Sequence, residues 1–236
     1  MMASHAPRPD AYSLQRDRLA AYFDGTARKA WIDLTSDAKV SGIRATVRAG
    51  RDRMRAQIEN WLPEDLRRVR VLDAGCGTGA MSIDLACRGA EVTGVDIAGG
   101  LVEIAARRAQ SFIGHGRIDW RVGDMLDPAL GRFEHVVAMD SLIHYPAQDI
   151  VRTLSRLAAR CDRSIIFTFA PSTPLLGAMH KAGKLFPRSD RSPAIVPVRE
   201  SELRELLCTL SEWRVARGGR IASGFYTSHA LELVRR

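Results

Sequence analysis

The sequence predicts an α/β fold in which a mostly parallel, doubly wound sheet carries helices on its faces. Three observations predict it. From residue 69 onward, short apolar runs alternate with helical stretches, the pattern of a parallel sheet. The first of these runs ends in a glycine-rich turn that opens a helix, Asp73-Ala74-Gly75-Cys76-Gly77-Thr78-Gly79. Two later strand ends then carry an acid each, Asp96 and Asp124. The 236 residues are 46% hydrophobic and 26% charged, an ordinary globular composition for a chain long enough to bury a core unaided.

The elements follow in order. Residues 1–10 hold Pro7 and Pro9 and read as a tail. Residues 14–34 and 43–62 read as two amphipathic helices. Leu19, Tyr22 and Phe23 share a face in the first, and Val47, Met54, Ile58 and Trp61 do so in the second, which Pro63 ends. Strands are expected at 69–74, 91–95, 118–122, 133–139 and 164–169, and helices at 79–87, 100–112, 150–161 and 201–210. Two final β segments, 213–216 and 230–234, complete seven strands as an antiparallel pair joined by a loop. Residues 172–199 break the alternation. They hold four prolines with Lys181, Lys184, Arg188, Arg191 and Arg199, and a connection of that length is usually functional. The reading therefore divides the chain into an N-terminal helical cap, 1–63, and a sheet domain, 64–236, with 172–199 as a lid-like insertion.

Composition narrows the function classes. None of Cys76, Cys87, Cys161 and Cys208 forms a C-x-x-C pair or has a histidine at metal-ligand spacing, so no protein-bound metal and no disulfide framework is expected. The first 30 residues lack an apolar core of the secretory type, and no apolar run reaches 18 residues. A cytoplasmic protein with reduced thiols follows. The net charge of +8 points to an anionic partner. Many arginines alternate with acids on helical faces and form no concentrated basic stripe, so nucleic acid is not the expected partner.

The glycine turn and its acids suit a particular cofactor. Gly75, Gly77 and Gly79 permit tight turning and close ligand approach. With Ala80 the spacing also fits the loose dinucleotide pattern G-x-G-x-x-A. Asp73 argues against that reading, because a carboxylate at the strand end repels a pyrophosphate but attracts the ammonium group of S-adenosylmethionine. Asp96, 19 residues after Gly77, is placed to accept ribose hydroxyls, with Ile97 beside it; capping of the helix that follows is the other role open to it. Asp124 is placed to accept from the adenine amino group while Met125 packs on the ring. Asp140, at the end of the fourth strand, completes the cofactor set.

D-A-G-C-G-T-G, then V-D-I, then G-D-M is similar to the class I S-adenosylmethionine-dependent methyltransferases, over roughly residues 69–236. The resemblance implies a Rossmann-like fold, S-adenosylmethionine as cofactor and S-adenosylhomocysteine as product. A finer resemblance lies in Tyr22-Phe23 with Trp31, in V-S-G-I-R-A-T-V-R-A-G-R (40–51), in M-D-S-L-I-H-Y-P (139–146) and in F-P-R-S-D-R-S-P (186–193). Together these look like the magnesium protoporphyrin IX O-methyltransferases of bacteriochlorophyll synthesis. That resemblance implies esterification of one propionate of the magnesium porphyrin, with His144 and Tyr22 orienting the carboxylate. The absence of an N-P-P-Y or D-P-P-Y sequence after the fourth strand agrees with an oxygen acceptor. The resemblance further implies magnesium chelatase as a partner and peripheral contact with the photosynthetic membrane. RNA, or another small-molecule oxygen acceptor, stays open as the alternative substrate.

Overall fold

The computed structural model describes residues 11–25, 35, 42–111, 114–172 and 194–236. Its elements run α1 (Ala11–Asp24), α2 (Gly42–Trp61), β1 (Arg70–Ala74), α3 (Ala80–Cys87), β2 (Glu91–Asp96), α4 (Gly99–Arg108), β3 (Arg117–Val122), β4 (Phe133–Ala138), α5 (Ala147–Ala158), β5 (Cys161–Phe169), α6 (Glu200–Leu207), β6 (Trp213–Ser223) and β7 (Tyr226–Arg235). Among the described residues the strands form a single sheet in the order β3-β2-β1-β4-β5-β7-β6. The first five of these are parallel, and β7 runs antiparallel to both β5 and β6.

Burial on both faces explains the near-continuous apolar strands: Val71, Leu72, Asp73 and Ala74 of β1 are all buried. On one face, α5 presents Ile150, Leu154 and Leu157 to Leu72, Val136 and Phe167. On the other, α2 presents Met54 and Ile58 to Val71, Leu85 and Ile166. Helix α2 thus shares the core of the sheet. It also packs closely, since a Cβ on Gly50 would lie 2.5 Å from the ring of Tyr226.

Some boundaries differ from the sequence reading for physical reasons. Helix α5 begins at Ala147, directly after Pro146, whose extended backbone serves as its N-cap, and Asp149 sits favourably in the first turn. Cys161 belongs to β5, where its backbone pairs with Phe133. The terminal strands are longer than the apolar runs suggest. They form one hairpin from Trp213 to Arg235 with its turn at Gly224-Phe225. Its middle, Arg217-Gly218-Gly219-Arg220, carries no alternation, because half of that stretch has no side chain and the rest is charged. The second half of the helix expected at 14–34, Trp31, residues 40 and 41, and residues 173–193 of the long insertion fall outside the described residues.

Candidate active site

The functional side chains gather at the C-terminal ends of β1, β2 and β4, the usual location for ligands in a doubly wound sheet. A cavity of about 540 Å³ opens there. Tyr22, Asp73, Gly75, Cys76, Gly77, Asp96, Ile97, Met125, Asp140 and His144 all line it. Gly79 and Asp124 do not.

The glycine turn is shaped by its neighbours. Gly75 and Cys76 donate backbone N–H bonds to the Val95 carbonyl at 2.8 and 3.0 Å. Gly75 has φ +86°, and a Cβ there would collide with Ser141. Gly79 also has φ +86°, but its missing Cβ makes room for Trp120 (2.7 Å) and Ala105 (2.8 Å), so it serves helix–sheet packing. The Ser141 hydroxyl oxygen is buried beside Gly75 and has no hydrogen-bond partner among the described residues, which leaves it to a ligand.

Burial sets the electrostatics. Asp73 is 2% exposed and accepts from the Ser82 hydroxyl at 2.6 Å. Loss of hydration pushes its carboxyl up to about 7, against the pull of Ser82. Asp96 is raised for the same reason, although it accepts from the backbone N–H of Gly77 and of Ala98, each at 2.9 Å. Among the described residues no cation pairs with buried Asp73 or half-buried Asp96, and the two fit a ligand that brings a positive charge to one and hydroxyl donors to the other. Asp96 does not cap α4. Asp24 of α1 does so, accepting from Gly99 at 3.3 Å and Gly100 at 2.9 Å. Burial also raises the Cys76 thiol well above its ordinary range, so it stays protonated.

Asp124 sits beside the cavity, between the lining residues Gly123 and Met125. Its carboxylate accepts from the Tyr12 hydroxyl (2.8 Å), the Leu126 N–H (2.9 Å) and Arg16 (3.0 Å). Asp140 takes a left-handed backbone, φ 55°. Arg51 pairs with it at 2.5 Å, and Tyr226, Ser228 and Thr168 donate to it at 3.1, 3.4 and 3.2 Å. These partners offset the strain of the rare backbone state. His144 is buried, with Nδ1 3.3 Å from the Ala194 carbonyl oxygen, and burial holds its pKa below the ordinary value. Tyr22 is half-buried and packs edge-on to Phe23, whose ring centroid lies 6.2 Å from that of His144.

Family comparison decides what this cavity belongs to. The model described as "Magnesium-protoporphyrin IX methyltransferase C-terminus" matches residues 138–235, and a general methyltransferase-domain model matches 71–163. A magnesium-protoporphyrin O-methyltransferase of Rhodobacter capsulatus is 48% identical, covering 95% of this chain and 98% of the relative. The chain belongs to the magnesium-protoporphyrin O-methyltransferase family. The corresponding protein of a Synechocystis strain is 33% identical over 91% of this chain and 94% of its own length. A crystal structure of the Synechocystis magnesium protoporphyrin IX methyltransferase with bound SAH superposes with a TM-score of 0.82 at 31% identity, covering 93% of this chain and 99% of that one. The fold is therefore the class I methyltransferase fold, and S-adenosylmethionine is the cofactor. Among the described residues of this family member, no group of three His, Cys, Asp or Glu side chains is placed to hold a metal ion.

Several functional residues of this methyltransferase carried no signal in the sequence. Tyr12, Arg16 and Asp24 of α1 reach partners 75 to 112 residues away, and Arg51 reaches Asp140 across 89. Arg51 and Ser141 stood within motifs, at 40–51 and 139–146, but neither motif named its partner.

Proposed function

We propose that this chain transfers the methyl group of S-adenosylmethionine to a propionate carboxylate of magnesium protoporphyrin IX, giving the monomethyl ester. One observation carries the reading: a single cavity joins two acids, buried Asp73 and half-buried Asp96, to His144 and to a face of arginines on α2. The acids suit a cationic cofactor and the arginines an anionic acceptor.

S-adenosylmethionine, when bound, supplies an electrophilic methyl group on a sulfonium. Asp73 would hold it at its ammonium end and Asp96 at its ribose, with Gly75, Cys76, Gly77 and Ile97 as walls and Met125 and Asp124 on the adenine side. A propionate is ionised at neutral pH, with a pKa of roughly 4–5, so the site needs no strong base. It needs orientation and exclusion of water. The Ala194 carbonyl only accepts, so Nδ1 of His144 carries a proton and Nε2 of the neutral ring is an acceptor. His144 therefore holds a carboxylate through Nε2 as an imidazolium, and one proton is taken up from solvent as the ionised acceptor binds. The Tyr22 hydroxyl donates the second bond.

The ring of this acceptor already carries magnesium, so a metal-inserting reaction precedes this one. An apolar ring is better handed over than released into water, which supports contact with the magnesium chelatase. We place the chain in the cytoplasm and peripherally on the photosynthetic membrane. Exposed Ile43 and Phe225 lie at the first turns of α2, where Gly224 packs against Thr46. An exposed apolar pair of this kind is suited to the interface of a lipid surface.

Steady-state methyl transfer with magnesium protoporphyrin IX and with the metal-free ring tests the acceptor. Turnover of the magnesium porphyrin is expected. Binding of S-adenosylmethionine without transfer to either ring would remove the porphyrin from the account.

A further inference from the structure

S-adenosylmethionine carries a carboxylate on the same carbon as its ammonium group, so an ammonium held at Asp73 brings an anion to the glycine turn. The surroundings there are rich in acceptors. Asp73, Asp96 and Asp140 all line the cavity. The turn itself has spent most of its donors within the fold. The N–H groups of Gly75 and Cys76 go to the Val95 carbonyl, that of Gly79 to the Cys76 carbonyl at 2.9 Å, and that of Gly77 to Asp96 at 2.9 Å. One side-chain donor beside the turn is unspent. The Ser141 hydroxyl oxygen is buried, Ser141 lines the cavity, and the hydroxyl has no partner among the described residues. A Cβ on Gly75, two residues beyond Asp73, would lie 3.2 Å from that oxygen.

The residue before it is clamped. Asp140 holds its left-handed backbone with its N–H donated to the Thr168 hydroxyl at 2.7 Å and its carboxylate gripped by Arg51, Tyr226 and Ser228. Ser141 is thereby fixed against the turn before any cofactor arrives. A buried hydroxyl without a partner is unfavourable, and a ligand that accepts from it relieves the penalty.

Resting on the placement of the ammonium at Asp73, we propose that Ser141 is a cofactor-binding residue whose hydroxyl donates to the carboxylate of S-adenosylmethionine. Acceptors for the ammonium abound at this end of the cavity, and the donor is the scarce partner, so the hydroxyl goes to the carboxylate. Being neutral, it does this without pairing off Asp73, as an arginine in its place would. Asp73 and Ser141 together read both charged groups of the amino-acid end.

The test is calorimetric binding of S-adenosylmethionine and of its decarboxylated form, which keeps the sulfonium and the amine, to wild type and Ser141→Ala at pH 7. Alanine keeps the Cβ and removes only the orphan oxygen, so the cofactor-free variant is expected to melt no lower than wild type. Its affinity for S-adenosylmethionine is expected to fall about tenfold, while that for the decarboxylated form holds within about twofold. An equal loss on both ligands overturns the proposal, and so does no loss on either, including the case in which only the KM for the porphyrin rises. If the alanine variant does not fold, Ser141→Cys, similar in shape and a weak donor, is expected to show a smaller loss on S-adenosylmethionine alone and is overturned by the same outcomes. Asp73→Asn runs alongside. Both ligands keep the ammonium, so both should weaken alike, and failure of that control strikes the ammonium assignment by itself. No porphyrin enters the measurement, so a chain that binds S-adenosylmethionine without methylating the porphyrin leaves the comparison standing.

Discussion

Cofactor binding should release protons through Asp73. In the cofactor-free protein, burial pushes this carboxyl up to about 7, with Ser82 as its one side-chain donor. An ammonium group beside it favours the ionised form and returns the pKa toward the ordinary value of about 4. Affinity therefore rises with pH. With about 7 in the free state and about 4 in the bound state, the dissociation constant falls roughly 45-fold between pH 5 and pH 7, about 2.3 kcal/mol. The ligand's own amino group stays protonated across that window. Near pH 7, half of the Asp73 population is protonated, so about half a proton leaves per molecule bound. Calorimetry in two buffers of different ionisation enthalpy measures that number directly. Asp73→Asn has no proton to release, so its affinity should approach the wild type at pH 5 and fall behind at pH 7. Asp96, raised by burial too, acts in the same direction, so the variant's slope shrinks without vanishing. Equal proton release in wild type and Asp73→Asn would refute the reasoning, because the ammonium would then not be Asp73's partner.

Other outcomes follow from the same geometry. Gly75→Ala places a Cβ at φ +86° and against Ser141; the backbone alone should cost about 1–2 kcal/mol, and cofactor affinity, by calorimetry, should drop more than tenfold. Arg51→Met leaves Asp140 buried with a side chain only 4% exposed and no cation. Denaturant unfolding should show a loss of about 2–3 kcal/mol, below the range for a fully buried pair because Arg51 itself keeps 19% exposure. His144 titrates below its ordinary pKa and is needed as the imidazolium, so porphyrin affinity should rise as pH falls toward and below about 6.5. His144→Gln, an uncharged donor, should flatten that dependence while leaving S-adenosylmethionine affinity unchanged. The cofactor-free protein should lose stability as pH climbs from about 4 to about 7, by at most about 4 kcal/mol, since folding holds a proton on Asp73 that the unfolded chain has released; a melting series across that range checks the sign.

What the sequence disclosed was local. Asp73, Gly75, Gly77 and Asp96 lie within one strand–turn–helix unit and the strand beside it, where spacing along the chain is nearly spacing in space. Asp124 was equally visible, but the side chains that hold it were not. Tyr12 and Arg16 sit on a helix whose apolar pattern names no acceptor, and only the docking of α1 over the sheet brings them there. Arg51 stood in the 40–51 motif without a named partner, and only the end of β4 places Asp140 opposite it. The β6–β7 hairpin was underestimated because its ladder passes through Gly218-Gly219, where backbone hydrogen bonds, unseen in a hydropathy pattern, carry the strand. The family resemblance reached further than these patterns, because Tyr22-Phe23 and most of the 139–146 motif line the cavity although no cofactor motif names them.

The central claim is that this cavity esterifies a porphyrin carboxylate. The most direct measurement is tandem mass spectrometry of the porphyrin after incubation of the purified chain with S-adenosylmethionine and magnesium protoporphyrin IX. The account predicts one added methyl on a propionate, removable by alkaline hydrolysis, with one S-adenosylhomocysteine formed per ester. An unmodified porphyrin beside S-adenosylmethionine that still binds, or a methyl group that survives hydrolysis, would contradict it.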